Sequence, residues 1–315
     1  MVGFLILLFL YPTVWMMWKT KMVGKQLPLG SWTCQPQGRL GNLMGEYATL
    51  LALSMLNGGR PLLMPKMGAH LKSIFEVSAA VMTSMESYRT PWQEVPLNDW
   101  MMDEYKHIRA PYVKLTGYPC SWTFYHHMSS FVRREFNFLP PLRDYATATL
   151  RKAMDGRKSA TFIGVHVRRG DYVRVMPDVW KGVIGDADYL RKAMDVFRTR
   201  YADALFMVAS DDMAWCMQHV DVARGDVIFV GNNNQAEPQR DLAVLSMCNH
   251  TIFTVGTFGF WAAYLAGGDA IYLSNFTLPE SRFRLLFKED KAYLPNWMGI
   301  AANLNTDLKH FFPPT

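Results

Sequence analysis

Four cysteines in 315 residues, at Cys34, Cys120, Cys216 and Cys248, are widely spaced and form no C-x-x-C pair. That scarcity gives no support to a zinc site or a redox motif. Basic residues never run to five in a row; they occur as scattered pairs such as Arg133-Arg134 and Arg168-Arg169, although the net charge is +6. A nucleic-acid groove is thereby disfavoured, and a small anionic ligand suits the charge better. Internal repeats and low-complexity tracts are also missing. Half of the residues are hydrophobic and 19% charged, far from the composition of a disordered chain, and the length accommodates two domains with real cores.

Charge is absent altogether from residues 2 to 18, VGFLILLFLYPTVWMMW, a run close to the minimum of about 17 to 20 apolar residues that span a bilayer. Its bulky end, leading into Lys19-Thr20-Lys21 with no small-x-small site, favours an uncleaved signal anchor over a cleaved signal peptide. Tyr11, Trp15 and Trp18 suit the interfaces. The basic flank after the span would be kept cytosolic by the positive-inside rule, whereas the sequons at Asn249 and Asn275 suit a luminal body. The expected organisation is a tip and anchor over 1–18, a stem over 19–31, a first domain over 32–155, and a second domain with a C-terminal tail over 156–315.

In the second half, apolar, β-prone runs at Thr161 to Val167, Leu205 to Ala209, Val227 to Val230, Thr251 to Val255 and Ala270 to Leu273 alternate with helical patterns. This rhythm predicts an α/β fold with a parallel sheet. Asp186 to Tyr201 puts Tyr189, Leu190, Ala193, Met194, Phe197 and Tyr201 at helical spacing behind an Asp suited to capping. The first half offers less: a helix over Gly45 to Leu56, a strand over Arg60 to Met64, and a stretch from 85 to 140 rich in Trp, Tyr and Pro without clear period.

Chemistry concentrates in four segments. GVHVRRGDYV, residues 164–173, ends a buried strand in Arg168, Arg169, Gly170 and Asp171, with His166 on the face of Arg168; ligands of open α/β sheets bind at such strand ends, and paired guanidiniums suit phosphate. A solvated strand end with an Arg–Asp pair is the plain alternative. Thr254 to Gly259 carries a strand through Gly256, Thr257 and Phe258 into a helix, whose N-terminal N–H groups can hold an anion; on its own a tight turn explains it as well. Asp211 and Asp212 follow the apolar run LFMV and could contact a guanine edge or ribose, or cap the next helix. GRLGNLMGEY, residues 38–47, offers Arg39, Asn42 and Glu46 on a turn and first helical turn. Asp186-Ala187-Asp188 has the spacing of a metal-binding D-x-D, but it opens an amphipathic helix, so no metal requirement is expected.

The segments GRLGNLMGEYATL, LNDWMMDEY, GYPCSWTFYHH, GVHVRRGDYV, VMPDVWKG and CNHTIFTVGTFGFWAAYLAGGDAIYL resemble the galactoside 2-α-L-fucosyltransferases, from about Trp32 to Ala302. The resemblance implies a GT-B-like fold of two Rossmann-like domains, with the donor nucleotide in the C-terminal half and a transmembrane helix at the N-terminus. It further implies a single-pass type II protein of the Golgi membrane, luminal catalysis, and inverting transfer of L-fucose from GDP-β-L-fucose to the 2-hydroxyl of a terminal β-galactose. The partners are then GDP-fucose, β-galactoside-terminated glycans and the Golgi membrane, with no cofactor; homo-oligomers are compatible with it.

By the same resemblance Arg168 would hold the β-phosphate with Arg169 beside it, His166 and Asp211 would sit near the guanosine, Gly256, Thr257 and Phe258 would line the diphosphate, and Arg39 and Asn42 would face the donor. Asp171, Glu46 and His166 are candidates for the general base, with Asp171 taken first. Two positions depart from the pattern: Leu43 stands where the family usually has Gln, and Asp211-Asp212 where close mammalian members have Asn-Gly. A catalytically inactive GDP-sugar binder and an anchored lectin using the aromatic residues of 92 to 131 are the rival readings.

Overall fold

The computed structural model describes residues 26–231 and 237–304. Two all-parallel sheets organise them. The first contains β1 (Ser31–Cys34), β2 (Arg60–Leu63), β3 (Ala80–Val81), β4 (Gln93–Pro96) and β5 (Tyr112–Thr116) in the order β3-β2-β1-β5-β4. The second contains β6 (Thr161–Val167), β7 (Ala204–Ser210), β8 (Val227–Phe229), β9 (His250–Phe253), β10 (Ala270–Ser274) and β11 (Met298–Ala301) in the order β11-β10-β9-β6-β7-β8. Counted from β6, that is the 3-2-1-4-5-6 order of a doubly wound sheet, whose direction of winding reverses between β6 and β9.

The strand runs expected in the second half all form, because a parallel strand covered on both faces needs apolar residues at every position. β7, ALFMVAS, is buried along its whole length. Helix α1 (Leu40–Leu56) begins five residues before the patterned start at Gly45 and is buried over most of its circumference. Helix α2 (Pro140–Ala153) closes the first half, and α3 (Tyr172–Trp180) follows β6. The next crossover helix, α4 (Ala187–Arg200), buries Tyr189, Leu190, Ala193, Met194 and Phe197, and its N-cap Asp186 accepts a 2.7 Å hydrogen bond from the Tyr189 N–H. Three further helices matter to the cleft: α5 (Met213–His219), α6 (Pro238–Ser246) and α7 (Thr257–Ala266).

The two sheets share a core. Helix α1, crossing β1 and β2, also packs on α7 of the second half, and one apolar cluster runs from Trp32 and Tyr47 to Trp261 and Tyr264. Tyr125 stacks on Trp261 with ring centres 5.5 Å apart, and Phe136 meets the same indole at 4.8 Å. A helix apolar on every side has to be enclosed, and here each half encloses a helix of the other. The position near 155 lies in the turn between α2 and β6, where the sheet changes.

The expected anchor over 1–18 lies outside the described residues. No helix among the described residues is long and apolar enough to cross a membrane. The stem expected over 19–31 differs from the structure at its end: Leu27 is buried with Leu62, Met82 and Tyr112, Tyr112 donates a 3.0 Å hydrogen bond to the Leu27 carbonyl, and Ser31 is the first residue of β1. An apolar residue with a pocket to fill joins the fold even where no periodic pattern announces it.

Candidate functional site

The carboxyl ends of β6 and β9 face the loop between β1 and α1 across a cleft. A cavity of about 510 Å³ lies between them, lined by Arg39 and Asn42 from the first half and by His166, Arg168, Asp171 and Thr257 among others from the second. The position follows from the winding of the sheet: at the reversal, the connections leaving neighbouring strands go to opposite faces and leave a crevice.

Arg168 is the best-held side chain of the cleft. Its N–H donates to Thr254 Oγ1 at 2.9 Å, its guanidinium pairs with the carboxylates of Asp171 and Asp211, and its Cζ lies 4.8 Å from the centre of the Tyr172 ring. Burial pushes its pKa below the ordinary value, and Asp171 opposes that. A guanidinium remains charged under such a shift. Arg39, largely exposed, reaches the second oxygen of Asp171 at 3.7 Å. Asp171 thus joins an arginine from each half.

Arg169 differs from the expectation that it flanks Arg168 at the ligand. Its side chain leaves the cavity and lies on Trp215, Cζ 3.9 Å from the ring centre, with Nε 3.3 Å from Asp212. Consecutive residues at a strand end point to opposite sides, so only one of the pair can face the cleft. Asp211 lines the cavity but is engaged as an organiser: Oδ1 accepts from the Arg169 N–H at 2.8 Å and Oδ2 from Arg168. Asp212 caps α5 through the Trp215 N–H at 3.1 Å. His166 is buried with its ring 4.7 Å from that of Phe258; burial first, then Arg168, lowers its pKa to about 3, so the imidazole is neutral at physiological pH.

The segment at the end of β9 has a backbone reason for its glycine. Gly256 adopts φ +96° and ψ 162°, a region essentially reserved for glycine, at the N-cap of α7. The first turn of α7 therefore opens on the cavity with its N–H groups unspent by a capping side chain. Thr257 Oγ1 donates to Asn42 Oδ1 at 2.6 Å, a hydrogen bond between the halves. Gly41 makes that approach possible: a Cβ there would sit 2.6 Å from Thr257 Oγ1 and 2.7 Å from the Phe258 nitrogen.

Glu46 stands outside the cavity. It is fully buried in α1, both carboxylate oxygens lie 3.1 Å from the Gln37 N–H, and burial raises its pKa to about 8. This position does not suit the catalytic part expected of it, because neither oxygen reaches the cleft. Leu43 is buried in the shared core and is likewise not a cavity residue.

A second cavity of about 420 Å³ continues from the first, sharing Asn42, Tyr172, Val255, Gly256 and Thr257. Its further walls are aromatic, with Trp100, Trp180, Phe260, Phe283, Phe287 and Tyr293. Two carboxylates that sequence reasoning passed over appear in the cleft: Asp241 in the first cavity and Asp99 in the second, each raised to about 6 by burial. Asp99 lay within LNDWMMDEY, one of the resembling segments, which was the available signal; Asp241, inside an ordinary helical pattern, had none.

The D-x-D pair is accounted for by local structure. Asp186 caps α4, and exposed Asp188 pairs with Arg191 and Lys192. Among the described residues no cluster of three or more His, Cys, Asp or Glu could hold a metal ion.

Comparison with known proteins bears on this cleft. The model of Glycosyl transferase family 11 matches residues 7–301. Galactoside alpha-(1,2)-fucosyltransferase 2 of Oryctolagus cuniculus is 54% identical over 281 residues, covering 89% of this chain and 79% of its own. Galactoside alpha-(1,2)-fucosyltransferase 1 of Homo sapiens is 52% identical over 279 residues, covering 88% and 76%. Among solved structures, a variant of Arabidopsis thaliana FUT1 in complex with GDP superposes with a TM-score of 0.54 at 11% identity, over 82% of this chain and 72% of that one, a likeness of fold.

Proposed function

Because the chain belongs to glycosyl transferase family 11, within the galactoside α-(1,2)-fucosyltransferases, we propose that its cleft transfers L-fucose from GDP-β-L-fucose to the 2-hydroxyl of a terminal β-galactose, with inversion. The observation that carries this reading is Arg168, a partly buried guanidinium held by two carboxylates beside the open N-terminus of α7. Fucosyl transfer builds negative charge on the departing diphosphate. A fixed cation and oriented N–H groups stabilise that charge more in the transition state than in the ground state. Solved structures of similar fold, among them NodZ alpha-1,6-fucosyltransferase co-crystallized with GDP or soaked with GDP-fucose at 14% identity and a TM-score of 0.50, support the same donor.

The arrangement is GT-B-like, the second domain taking the nucleotide and the aromatic cavity taking the acceptor sugar, whose C–H faces suit Trp100 and its neighbours. Asp241 and His166, which also line the first cavity, are the groups for the nucleoside. With Arg168 supplying the charge and Asp186 and Asp188 occupied in capping and surface pairing, the reaction runs without a metal. The apolar run over 2–18 supports a type II anchor in the Golgi membrane with the body luminal. Both sequon asparagines, Asn249 and Asn275, are exposed and open to glycosylation.

The test is an assay of the full-length protein in detergent with GDP-fucose and a β-galactoside, followed by linkage analysis, with and without EDTA. An α1,2-linked product that survives EDTA is expected; GDP binding with no transfer to any β-galactoside sinks the reading, and rescue by Mn²⁺ sinks its metal-independent form. In cells, endoglycosidase should shift the mobility of the chain and sealed microsomes should protect its body from protease. Digestion without permeabilisation excludes the type II topology.

A further inference from the structure

Inverting transfer requires a base for the acceptor hydroxyl, and the three candidates from sequence are each compromised by their surroundings. Both oxygens of Asp171 face guanidiniums, Oδ1 that of Arg168 and Oδ2 that of Arg39. Glu46 is sealed beneath the cleft on the Gln37 N–H. His166 lines the donor cavity, packed against Phe258 and next to Arg168, and does not line the aromatic one.

Resting on the functional reading above, we infer that Asp99 is the general base, the carboxylate that removes the proton from the attacking galactose 2-hydroxyl. It is the one carboxylate among the residues lining the aromatic cavity, which adjoins the donor cavity at Asn42 and Thr257. Half-buried, it has no hydrogen-bond or ion-pair partner among the described residues. A buried carboxylate without a partner destabilises the fold, so packing gives no reason for an aspartate at this position. The loop around it is nonetheless fixed. On one side the Leu97 N–H donates to the Thr116 carbonyl at 3.0 Å and the Asn98 N–H to the Tyr105 hydroxyl at 2.8 Å; on the other the Met101 N–H donates to Thr123 Oγ1 at 2.9 Å. A backbone pinned on both flanks and a free side chain between them describe a preorganised group waiting for a partner.

The step balances. A lone pair of the galactose O2 forms a bond to fucose C1 as the bond from C1 to the β-phosphate oxygen breaks, its electron pair leaving with GDP toward Arg168. The O2 proton passes to an Asp99 oxygen, which later yields it to solvent. Attack from the aromatic cavity, opposite the donor cavity, gives the inverted product.

Burial raises the Asp99 carboxyl to about 6, nearer the operating range of a base than an exposed aspartate. The ionisable groups facing the same cavity are Tyr118 and Cys120 from the first half and Tyr172, Lys288, Lys291 and Tyr293 from the second. Burial and nearby Glu46 hold the Cys120 thiol protonated, and burial raises Tyr172 and Tyr293 as well. Asp99 is the one carboxylate among these facing groups and so the one to set an acidic limb.

Asp99→Asn and Asp99→Glu in the full-length enzyme test this. For Asp99→Asn, kcat should fall by about 10² to 10⁴, with GDP affinity and thermal midpoint retained or the midpoint raised. The wild-type loss of kcat/KM as pH drops through about 6 should vanish from its residual activity, and Asp99→Glu should recover part of the rate. Near-native kcat in Asp99→Asn, an unchanged acidic limb, or a rise in acceptor KM with kcat intact each overturns the inference. The functional reading fails differently: the wild type would form no α1,2-linked product. If that wild type still hydrolyses GDP-fucose, the same Asp99→Asn comparison on hydrolysis, which also needs a proton removed, decides Asp99 separately.

Discussion

The carboxylates around Arg168 and Arg169 are treated in the opposite way to those of the first half, while Asp241 of α6, raised to about 6 by burial, is the second half's exception. In the second half Asp171, Asp211 and Asp212 are all engaged with Arg168 or Arg169. In the first half Asp99 and Glu46 have no cationic partner among the described residues and are raised by burial to about 6 and about 8. Paired carboxylates spend their charge on fixing guanidiniums, which makes a stiff site for an anion. Unpaired, partly desolvated ones are held closer to neutrality and can exchange protons. One residue type is thus divided between binding charge and moving protons, and the division follows whether a guanidinium lies within reach.

The sharpest way to break this comparison is at the paired side. Arg168→Lys keeps the charge but cannot engage Asp171 and Asp211 together, so transfer should fall by about 10² to 10³ and GDP affinity with it. Steady-state kinetics and GDP titration on the folded variant check this; near-native values would remove Arg168 from the diphosphate.

A smaller effect comes from moving the halves apart. Gly41→Ala would drive a methyl group into Thr257 and Phe258 and break the Asn42–Thr257 hydrogen bond. Because catalysis depends on sub-ångström placement, the loss should be about 10² in kcat with the donor site of the second half still binding GDP. Equal loss of GDP binding would mean that the first half holds more of the nucleotide than Arg39 and Asn42 suggest.

The smallest effect is on stability and its pH dependence. Glu46, raised from 4.5 to about 8, lends stability that is complete below about 4.5 and is lost as pH rises through about 8. His166, lowered from 6.5 to about 3, acts at the other side: as pH falls from 6.5 toward 3 the unfolded chain takes up the proton first and stability declines. Thermal midpoints across pH should therefore show that Glu46→Gln flattens the alkaline decline and leaves the acidic one. If the curve keeps its alkaline decline, Glu46 is already ionised in the fold.

The second half was the more legible in sequence, for a reason visible in its strands. β6, β7 and β9 are enclosed on both faces, so burial demanded continuous apolar runs, and the Asp186 cap marked the start of α4. In the first half β3 is two exposed residues, β4 is QEVP and largely exposed, and β1 alternates polar Ser31 and Thr33 with Trp32 and Cys34, all buried. Thr33 can be buried because its hydroxyl donates to the Leu62 carbonyl at 2.8 Å, a partner 29 positions away. No periodicity shows such a bond.

The residues of the cleft divide the same way. Arg168, Gly256 and Thr257 could be named from the chain because local rules fix them: a strand end, a glycine-only backbone, a helix start. Arg169 could not be told from Arg168, since only the direction of the side chain after β6 sends one into the cleft and the other onto Trp215. Glu46 and Asp99 were equally polar letters until packing buried one within α1 and left the other facing an aromatic cavity. Sequence by itself determined the elements and the anion-binding strand ends, because these depend on neighbours a few residues away. The environment of each carboxylate, and with it the assignment of its proton, came from residues as distant in the chain as Tyr293 is from Asp99, and only the closed tertiary structure brings those together.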